Sequence, residues 1–221
     1  MVGRRIEPLQ TLSTTLGNGS QAVAGDVTDR AGIVECFAIA REHLGDIDIL
    51  VNCAGIAPTA PFHRQDFTDW QRTMDVNVNG VFHCTQIALE NMLNAGWGRV
   101  INIASVASLR GFPYVSGYCA SKHAVLGMTR ALALEVATRG ITVNAICPGY
   151  VDTDIVRSAI AEIVSKTGRT AEDALQHFTE SNPQGRLIKA SEVAGAVSWL
   201  CGDGAASVTG QAVAIDGGGT A

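Results

Sequence analysis

Aromatic residues are scarce in this 221-residue chain, at 5% of the total. Ala, Val, Ile and 24 glycines dominate instead, a composition that suits buried strands and closely packed helices. Charged residues are also few, 17% against 47% apolar, and that balance excludes a disordered tail protein. Positive charge is not in excess: the net charge of -5 argues against a general grip on nucleic acid. No run of 18 apolar residues occurs, so no membrane span is expected. The start, Met1-Val2-Gly3-Arg4-Arg5, lacks the apolar stretch of a signal peptide. No CxxC joins Cys36, Cys53, Cys84, Cys119, Cys147 or Cys201, so neither a zinc ribbon nor a thioredoxin-type pair is signalled. Scattered single thiols read as small buried apolar residues in a reducing, cytoplasmic setting. The histidines (43, 63, 83, 123 and 177) show neither HxxxH nor HxH spacing, so no metal is expected.

What is present is an alternation of short apolar runs with helical periodicity. Strands are expected at Gln21–Gly25, Ile47–Asn52, Arg99–Ala104, Ile141–Cys147 and Gln211–Ile215. Helices are expected at Asp29–Leu44, Asp66–Asn94, Val115–Thr138 and Ser191–Cys201, the last with Ser191 as its cap. Two shorter helices, Asp154–Lys166 and Ala171–Phe178, form an excursion. The alternation implies an α/β fold, a doubly wound parallel sheet with helices on both faces. The length, with no repeat or linker, fits one domain over residues 1–221. Ligands in such sheets sit beyond the carboxyl ends of the strands, where Cys53-Ala54-Gly55, Ser105 and Pro148-Gly149 fall.

Tyr118 and Lys122 stand four apart in an expected helix and share a face. An ammonium beside a phenol favours the phenolate, lowering the pKa toward what a proton donor to a carbonyl needs. Taken alone, such a pair is ordinarily a solvated helix face. Ser105 ends a strand thirteen residues earlier, where its hydroxyl could bond the same oxygen; by itself it would be a strand-end serine. Asn77 lies in Asp75-Val76-Asn77-Val78-Asn79-Gly80, a stretch poor in helix formers. It reads either as a local kink or as a side chain holding a bend and a proton-relay water.

Together, Asn52-Cys53-Ala54-Gly55, Asn77, Ser105, Tyr118-x3-Lys122 and Pro148-Gly149-Tyr150-Val151-Asp152-Thr153 resemble the classical short-chain dehydrogenase/reductase (SDR) family, in order and spacing, from about residue 3 onward. The texture is similar to its 3-oxoacyl thioester reductases, polyketide ketoreductases and 3-hydroxybutyrate dehydrogenases. The resemblance implies a Rossmann-like fold and hydride transfer between NAD(P)(H) and a carbonyl or secondary alcohol. It implies Tyr118 as general acid and base, Lys122 lowering its pKa and bonding the nicotinamide ribose, Ser105 polarising the carbonyl, and Asn77 anchoring the water that returns the proton. For the cofactor it implies Asp26-Val27 at the adenine, Asn52, Ala54 and Gly55 at the close backbone approach, and Pro148, Gly149, Val151 and Thr153 at the nicotinamide amide and phosphate. NAD-type members carry an acidic residue at the end of the second strand. Gly3 takes that place and Arg4 follows, which leans the expectation to NADP, with NAD possible.

The family's opening strand and glycine-rich TGxxxGxG turn, which present backbone N–H groups to the pyrophosphate, have no counterpart. Gly17-Asn18-Gly19 is no substitute, because no strand precedes it and a strand rather than a helix follows. Met1 is therefore expected to be an internal methionine of a longer product, about 30–40 residues being the size of the absent βα unit and next strand. The alternative is a short chain that another chain completes, or a damaged one. In the implied strand order 3-2-1-4-5-6-7 the absent strand is central, and its neighbours would be left unpaired. The excursion from Asp154 to Lys189 corresponds to the family's substrate lid; its mixed charges name no substrate. Arg110-Gly111-Phe112-Pro113-Tyr114 would border the cleft and suggests a partly apolar small-molecule ligand, or else an interface loop. A homotetramer paired through the Asp66–Asn94 and Val115–Thr138 helices is expected by resemblance. Two other readings remain: a non-catalytic SDR-like binding or oligomer subunit, and a sugar-nucleotide epimerase, for which the C-terminus leaves little room.

Overall fold

The computed structural model describes residues 1–221, apart from the side chain of Ile155. Two parallel sheets form. Strands β1 (Val2–Gly3) and β2 (Val23–Ala24) make a two-stranded ladder, while β3 (Ile49–Asn52), β4 (Gly98–Ile103), β5 (Ile141–Pro148) and β6 (Ala212–Ile215) pair in that order. The register runs Leu50 to Val100, Ile101 to Asn144 and Ile146 to Val213. Removing the first strand from the order implied by the resemblance leaves this arrangement. Among the described residues no ladder joins the two sheets, so one edge of β3 is unpaired. Ile49 and Val51 on β3 and Val2 on β1 are exposed despite their β-branched side chains.

The period-two side-chain alternation sends successive residues of β4 and β5 to opposite faces. On one face Val100, Ile141 and Val143 pack with Ile33 and Phe37 of α2 (Arg30–Leu44) and Ala88 and Met92 of α4 (Gly80–Ala95). Ala133 and Val136 of α5 (Ser116–Val136) complete that cluster. On the other face Ile101 and Ile146 pack with Leu200 of α8 (Ala190–Cys201). This two-sided burial is why every residue of β5 is buried, the polar Thr142 and Asn144 included.

The expected elements form with end shifts of a residue or two, and there are three differences. First, α1 (Ile6–Leu16) follows β1 and was not expected; Pro8 sits in its first turn, where a missing N–H costs nothing. Second, the cap of α8 lies at Lys189 rather than Ser191, because the Glu192 carboxylate reaches back to the Lys189 N–H (2.8 Å). Third, the expected helix Asp66–Asn94 is α3 (Phe67–Met74), a π-turn at Asp75–Asn79, and α4. The extra residue of a π-turn widens the helix locally and re-aims a side chain. The excursion is built as expected, from α6 (Asp154–Thr167) and α7 (Ala171–Thr179). Gly17-Asn18-Gly19 leads out of α1 toward β2, with positive φ at all three residues. It is a helix exit and cannot cradle a phosphate at a helix start.

Candidate active site

The chemistry-bearing residues gather at the carboxyl ends of β3 and β4. Ser105 follows β4 and starts a 3-10 turn, its Oγ accepting from the Ala107 N–H (3.1 Å). That bond leaves the hydroxyl proton free to donate outward. Tyr118 and Lys122 lie one turn apart on α5, with the Lys122 Nζ 5.6 Å from the Tyr118 ring centre. Lys122 is buried and its Nζ donates to the Ile103 carbonyl (2.7 Å), which leaves further N–H donors unassigned.

The electrostatics correct the sequence reading in sign. Burial pushes the Tyr118 phenol above its ordinary value, and the Ser105 hydroxyl opposes this only in part. Burial also drives the Lys122 ammonium down, to about 8. Desolvation penalises both charged forms, and it outweighs the attraction expected from their spacing.

Asn77 is fully buried within the π-turn. Its Oδ1 accepts from the Ile56 N–H (2.9 Å) and its Nδ2 donates to the Ile56 carbonyl (2.9 Å) and to Ser121 Oγ (3.0 Å). One carboxamide thus ties the loop after β3 to α5, one residue from Lys122. Both amide hydrogens are committed, so the side chain clamps the loop to the helix. Ser121 carried no signal in the sequence; its hydroxyl also bonds the Tyr118 carbonyl (2.7 Å).

The cofactor candidates divide. The Asn52 side chain faces the interior, donating to Thr85 Oγ1 (3.0 Å) and Asn102 Oδ1 (2.8 Å), and so fastens β3 to α4 and β4. Ala54 and Gly55 follow it and are exposed. A Cβ on Gly55 would stand 3.4 Å from Asn77 Oδ1 and 3.6 Å from Lys122 Nζ, so glycine keeps the floor between them clear. Asp26 is held below its ordinary value, chiefly by the Thr28 N–H, with Arg4 and Arg72 adding smaller contributions. Val27 packs against Gly80, where a Cβ would come within 2.6 Å of its side chain; this close approach seats the end of β2 on α4. Gly149 donates to the Ile215 carbonyl (3.1 Å), Val151 bridges to Ile188, and Thr153 Oγ1 bonds the Val151 carbonyl (3.2 Å) at the start of α6. Pro148 ends β5 beside them.

Arg4, Asp26 and Thr28 line a cavity of ≈ 240 Å³ with Arg72, Asp75 and Val76. Sequence reasoning missed the α3 side of this wall, although Thr68, Arg72 and Val76 share one helical stripe. Among the described residues no carboxylate lies within ion-pair distance of either guanidinium. A second cleft is lined by Val106, the residue after Ser105, and by Arg110, Phe112, Tyr150, Asn182 and Asp216, so two residues of the Arg110–Tyr114 loop contribute to it.

A family profile described as enoyl-(acyl carrier protein) reductase matches residues 3–220. The chain belongs to the classical SDR family. This SDR is 39% identical over 197 residues to a D-beta-hydroxybutyrate dehydrogenase of Rhizobium meliloti, covering 89% of the chain and 76% of that protein. It is 35% identical over 209 residues to the 3-oxoacyl-(acyl-carrier-protein) reductase FabG of Haemophilus influenzae, covering 95% and 82%. A crystal structure of an actinorhodin polyketide ketoreductase with NADPH superposes with a TM-score of 0.93 at 37% identity, covering all of this chain and 87% of that one. The protein is an NAD(P)(H)-dependent oxidoreductase of carbonyl and alcohol substrates. Among the described residues no helix is long and apolar enough to cross a membrane.

Proposed function

We propose that this SDR reduces a 3-oxoacyl-type ketone, or oxidises the matching 3-hydroxyacyl alcohol, with NADP(H). The observation that carries this reading is the convergence of Ser105, Tyr118 and Lys122 at the strand ends, with Asn77 clamping the floor beside them. The residues fit a dinucleotide at two ends. Gly55 keeps the floor open under Lys122, and the cavity at Arg4 and Arg72 offers two guanidiniums that, among the described residues, have no carboxylate within ion-pair distance, the chemistry that suits a 2′-phosphate. NADPH accompanies the ketoreductase whose structure superposes on this chain. When bound, the nicotinamide ring supplies or takes the hydride.

In the reductive direction Ser105 Oγ donates to the substrate carbonyl oxygen and holds it at the phenol. Tyr118 then gives its proton to that oxygen as charge develops there. A phenol raised by burial holds its proton securely at neutral pH, and Lys122, charged below about 8, stabilises the phenolate left behind. Asn77 keeps Lys122 and the loop after β3 in register.

The reading extends to one working unit over residues 1–221, with 154–189 as the lid, in the cytoplasm. The six unpaired cysteines suit a reducing compartment. Phe82 on α4 and Leu134 on α5 are exposed and support a homotetramer through those helices, to be checked by sedimentation. The split sheet favours the second reading, an SDR-like binding or oligomer subunit.

The test is NADPH oxidation with a panel of 3-oxoacyl thioesters. Tyr118→Phe should lower turnover by roughly 10²–10⁴-fold while cofactor affinity, read by calorimetry, stays within severalfold. Undiminished turnover would overturn the mechanism. Cofactor binding without turnover by the unaltered chain would favour the subunit reading.

A further inference from the structure

We propose that Arg110 selects substrates that carry an anionic oxygen group, a carboxylate or a phosphate, beyond the reacting carbonyl. This rests on the reductase reading and names the substrate class for the same site. The cleft that starts at Val106, the residue after Ser105, is also lined by Arg110, Phe112, Tyr150, Ser181 and Asn182, with Asp216 and two glycines completing it. Its wall is apolar on the Val106 and Phe112 side. Tyr150 stands edge-on to Phe178 of the lid, ring centres 4.9 Å apart.

The polar groups of this wall are mostly spent. Asn182 donates to the Arg186 carbonyl (2.7 Å) and accepts from the Gln184 N–H (2.9 Å). The Ser181 hydroxyl bonds the Phe178 carbonyl (3.3 Å). Asp216, although a carboxylate, is buried with one oxygen on the Gly218 N–H (3.0 Å) and the other on the Thr220 hydroxyl (2.6 Å). Arg110 differs. Among the described residues its guanidinium meets no carboxylate within ion-pair distance, and it has no hydrogen-bond acceptor. It lies over the Phe112 ring, 4.9 Å from the centre, which supports the cation from below and leaves its N–H edge for a ligand.

Arg110 also acts on the ring beside it, since its charge draws the Tyr150 phenol down against the upward push of burial. The uncommitted polar edge of the cleft therefore consists of a guanidinium and a phenol. Arg110 can only donate, and a fixed planar donor pair matches a carboxylate or phosphate edge. A neutral ketone makes no use of it. Arg110 lies five residues past Ser105, on the same turn-and-loop segment. The group it reads is therefore carried on the substrate and is distinct from the oxygen held by Ser105.

The test compares acetoacetate and acetoacetyl-CoA with the neutral ethyl acetoacetate, reduced with NADPH by the full chain, by Arg110→Gln and by Arg110→Lys. We expect Arg110→Gln to lower the anionic-to-neutral ratio of kcat/KM at least 10-fold, through KM rather than kcat. Arg110→Lys should restore part of it. A drop with acetoacetate assigns the carboxylate, and a drop with the thioester assigns the phosphates. An unchanged ratio in both arms overturns the proposal. If the unaltered chain reduces none of the three, ligand-observed NMR of acetoacetate and acetoacetyl-CoA decides instead. Anion binding lost in Arg110→Gln supports Arg110 while the reductase reading fails. Binding that is absent, or indifferent to the substitution, overturns Arg110 as well.

Discussion

The four-stranded sheet and the β1–β2 pair are made of similar residues and end in opposite states. Val143, Ala145, Ile146 and Cys147 of β5 are completely buried, between strands on both sides and helices on both faces. In the pair, Val2 is 41% exposed and α1, which follows β1, buries no residue at all. Composition does not separate them: Val and Ala serve in both. The difference lies in neighbours. A strand flanked on both sides pairs both of its hydrogen-bonding edges and shields both of its faces, whereas a two-residue ladder pairs one edge and leaves the other to water. What holds the pair in place is α2, through Cys36, which donates to the Ala24 carbonyl (3.3 Å), and through Ile33 and Phe37 in the main core. The candidate residues Ser105, Tyr118 and Lys122 are carried by the end of β4 and by α5, which packs on the large sheet, while Arg4 and Asp26 of the first cavity follow the strands of the loose pair.

The largest contrast should come from paired truncations. Ile146→Ala removes a fully buried side chain that packs on Leu200 and Ala205, and should cost about 2–5 kcal/mol in urea unfolding. A cost under 1 kcal/mol would mean that this sheet is no better packed than the pair. Second in size is the penalty the good sheet carries for its function. Lys122 titrates at about 8 in the folded chain and near 10.4 when unfolded, because burial opposes its charge. Below about 8 both states hold the proton and folding carries the full cost of burying the charge. Between about 8 and 10.4 the unfolded chain binds more protons, so stability from this residue rises with pH. Lys122→Met should therefore stabilise the ligand-free protein at pH 7 by up to roughly 3 kcal/mol, offset in part by the lost bond to Ile103. That advantage should shrink across pH 8–10. A variant less stable at pH 7 would show that the bond outweighs the desolvation.

This contrast also explains what the sequence could reveal. The strands and helices around the large sheet were legible because burial on both faces writes apolar runs and helical stripes directly into the residues, as in Ile141–Cys147. The β1 strand was placed only by alignment, since two residues carry no periodicity, and α1 was passed over although Ile6, Leu9 and Ser13 form a half-buried stripe, none of it fully buried. Within the site, Ser105, Tyr118 and Lys122 became legible through the family resemblance, their spacing alone being that of an ordinary helix face and strand end, and the structure brings them together. The sign of the Tyr118 shift was not, because desolvation depends on what surrounds the phenol rather than on the Lys four residues away. The inward turn of Asn52 and the commitment of Asn77 to Ile56 and Ser121 depend on partners 21 to 50 residues distant. Arg72 was invisible for the same reason. Its stripe on α3 becomes a cavity wall only when β1 and β2 stand opposite it.

Asn77 tests whether the clamp or the bend matters. Asn77→Ala leaves the Ile56 N–H and carbonyl without their partner in a buried setting, at about 1–3 kcal/mol. Asn77→Asp keeps the acceptor for the Ile56 N–H and loses the donors to the Ile56 carbonyl and Ser121. If the amide acts as a clamp, both variants should lower kcat with the thioesters, and the aspartate should lose stability at pH 7 as well. An aspartate variant as stable and active as the asparagine would mean that the π-turn alone fixes the floor of the site.

The smallest expected effect is on the loose side. Val2→Ala removes side-chain area that is already 41% exposed, from a ladder with one neighbour, and should cost less than about 1 kcal/mol. The same looseness should appear in native-state hydrogen exchange. The amides of Val23 in β2 and of Gly25 just after it, bonded to the Met1 and Gly3 carbonyls, should exchange through local opening at least tenfold faster than the β5 amides of Val143 and Ala145. Addition of NADPH should narrow that ratio, because Arg4 and Asp26 would then be held across the cavity from Arg72 by a common ligand. Equal protection of the two sheets without ligand would show that α2 binds the pair as firmly as a flanking strand would. The contrast drawn from exposure would then be one of surface rather than of stability.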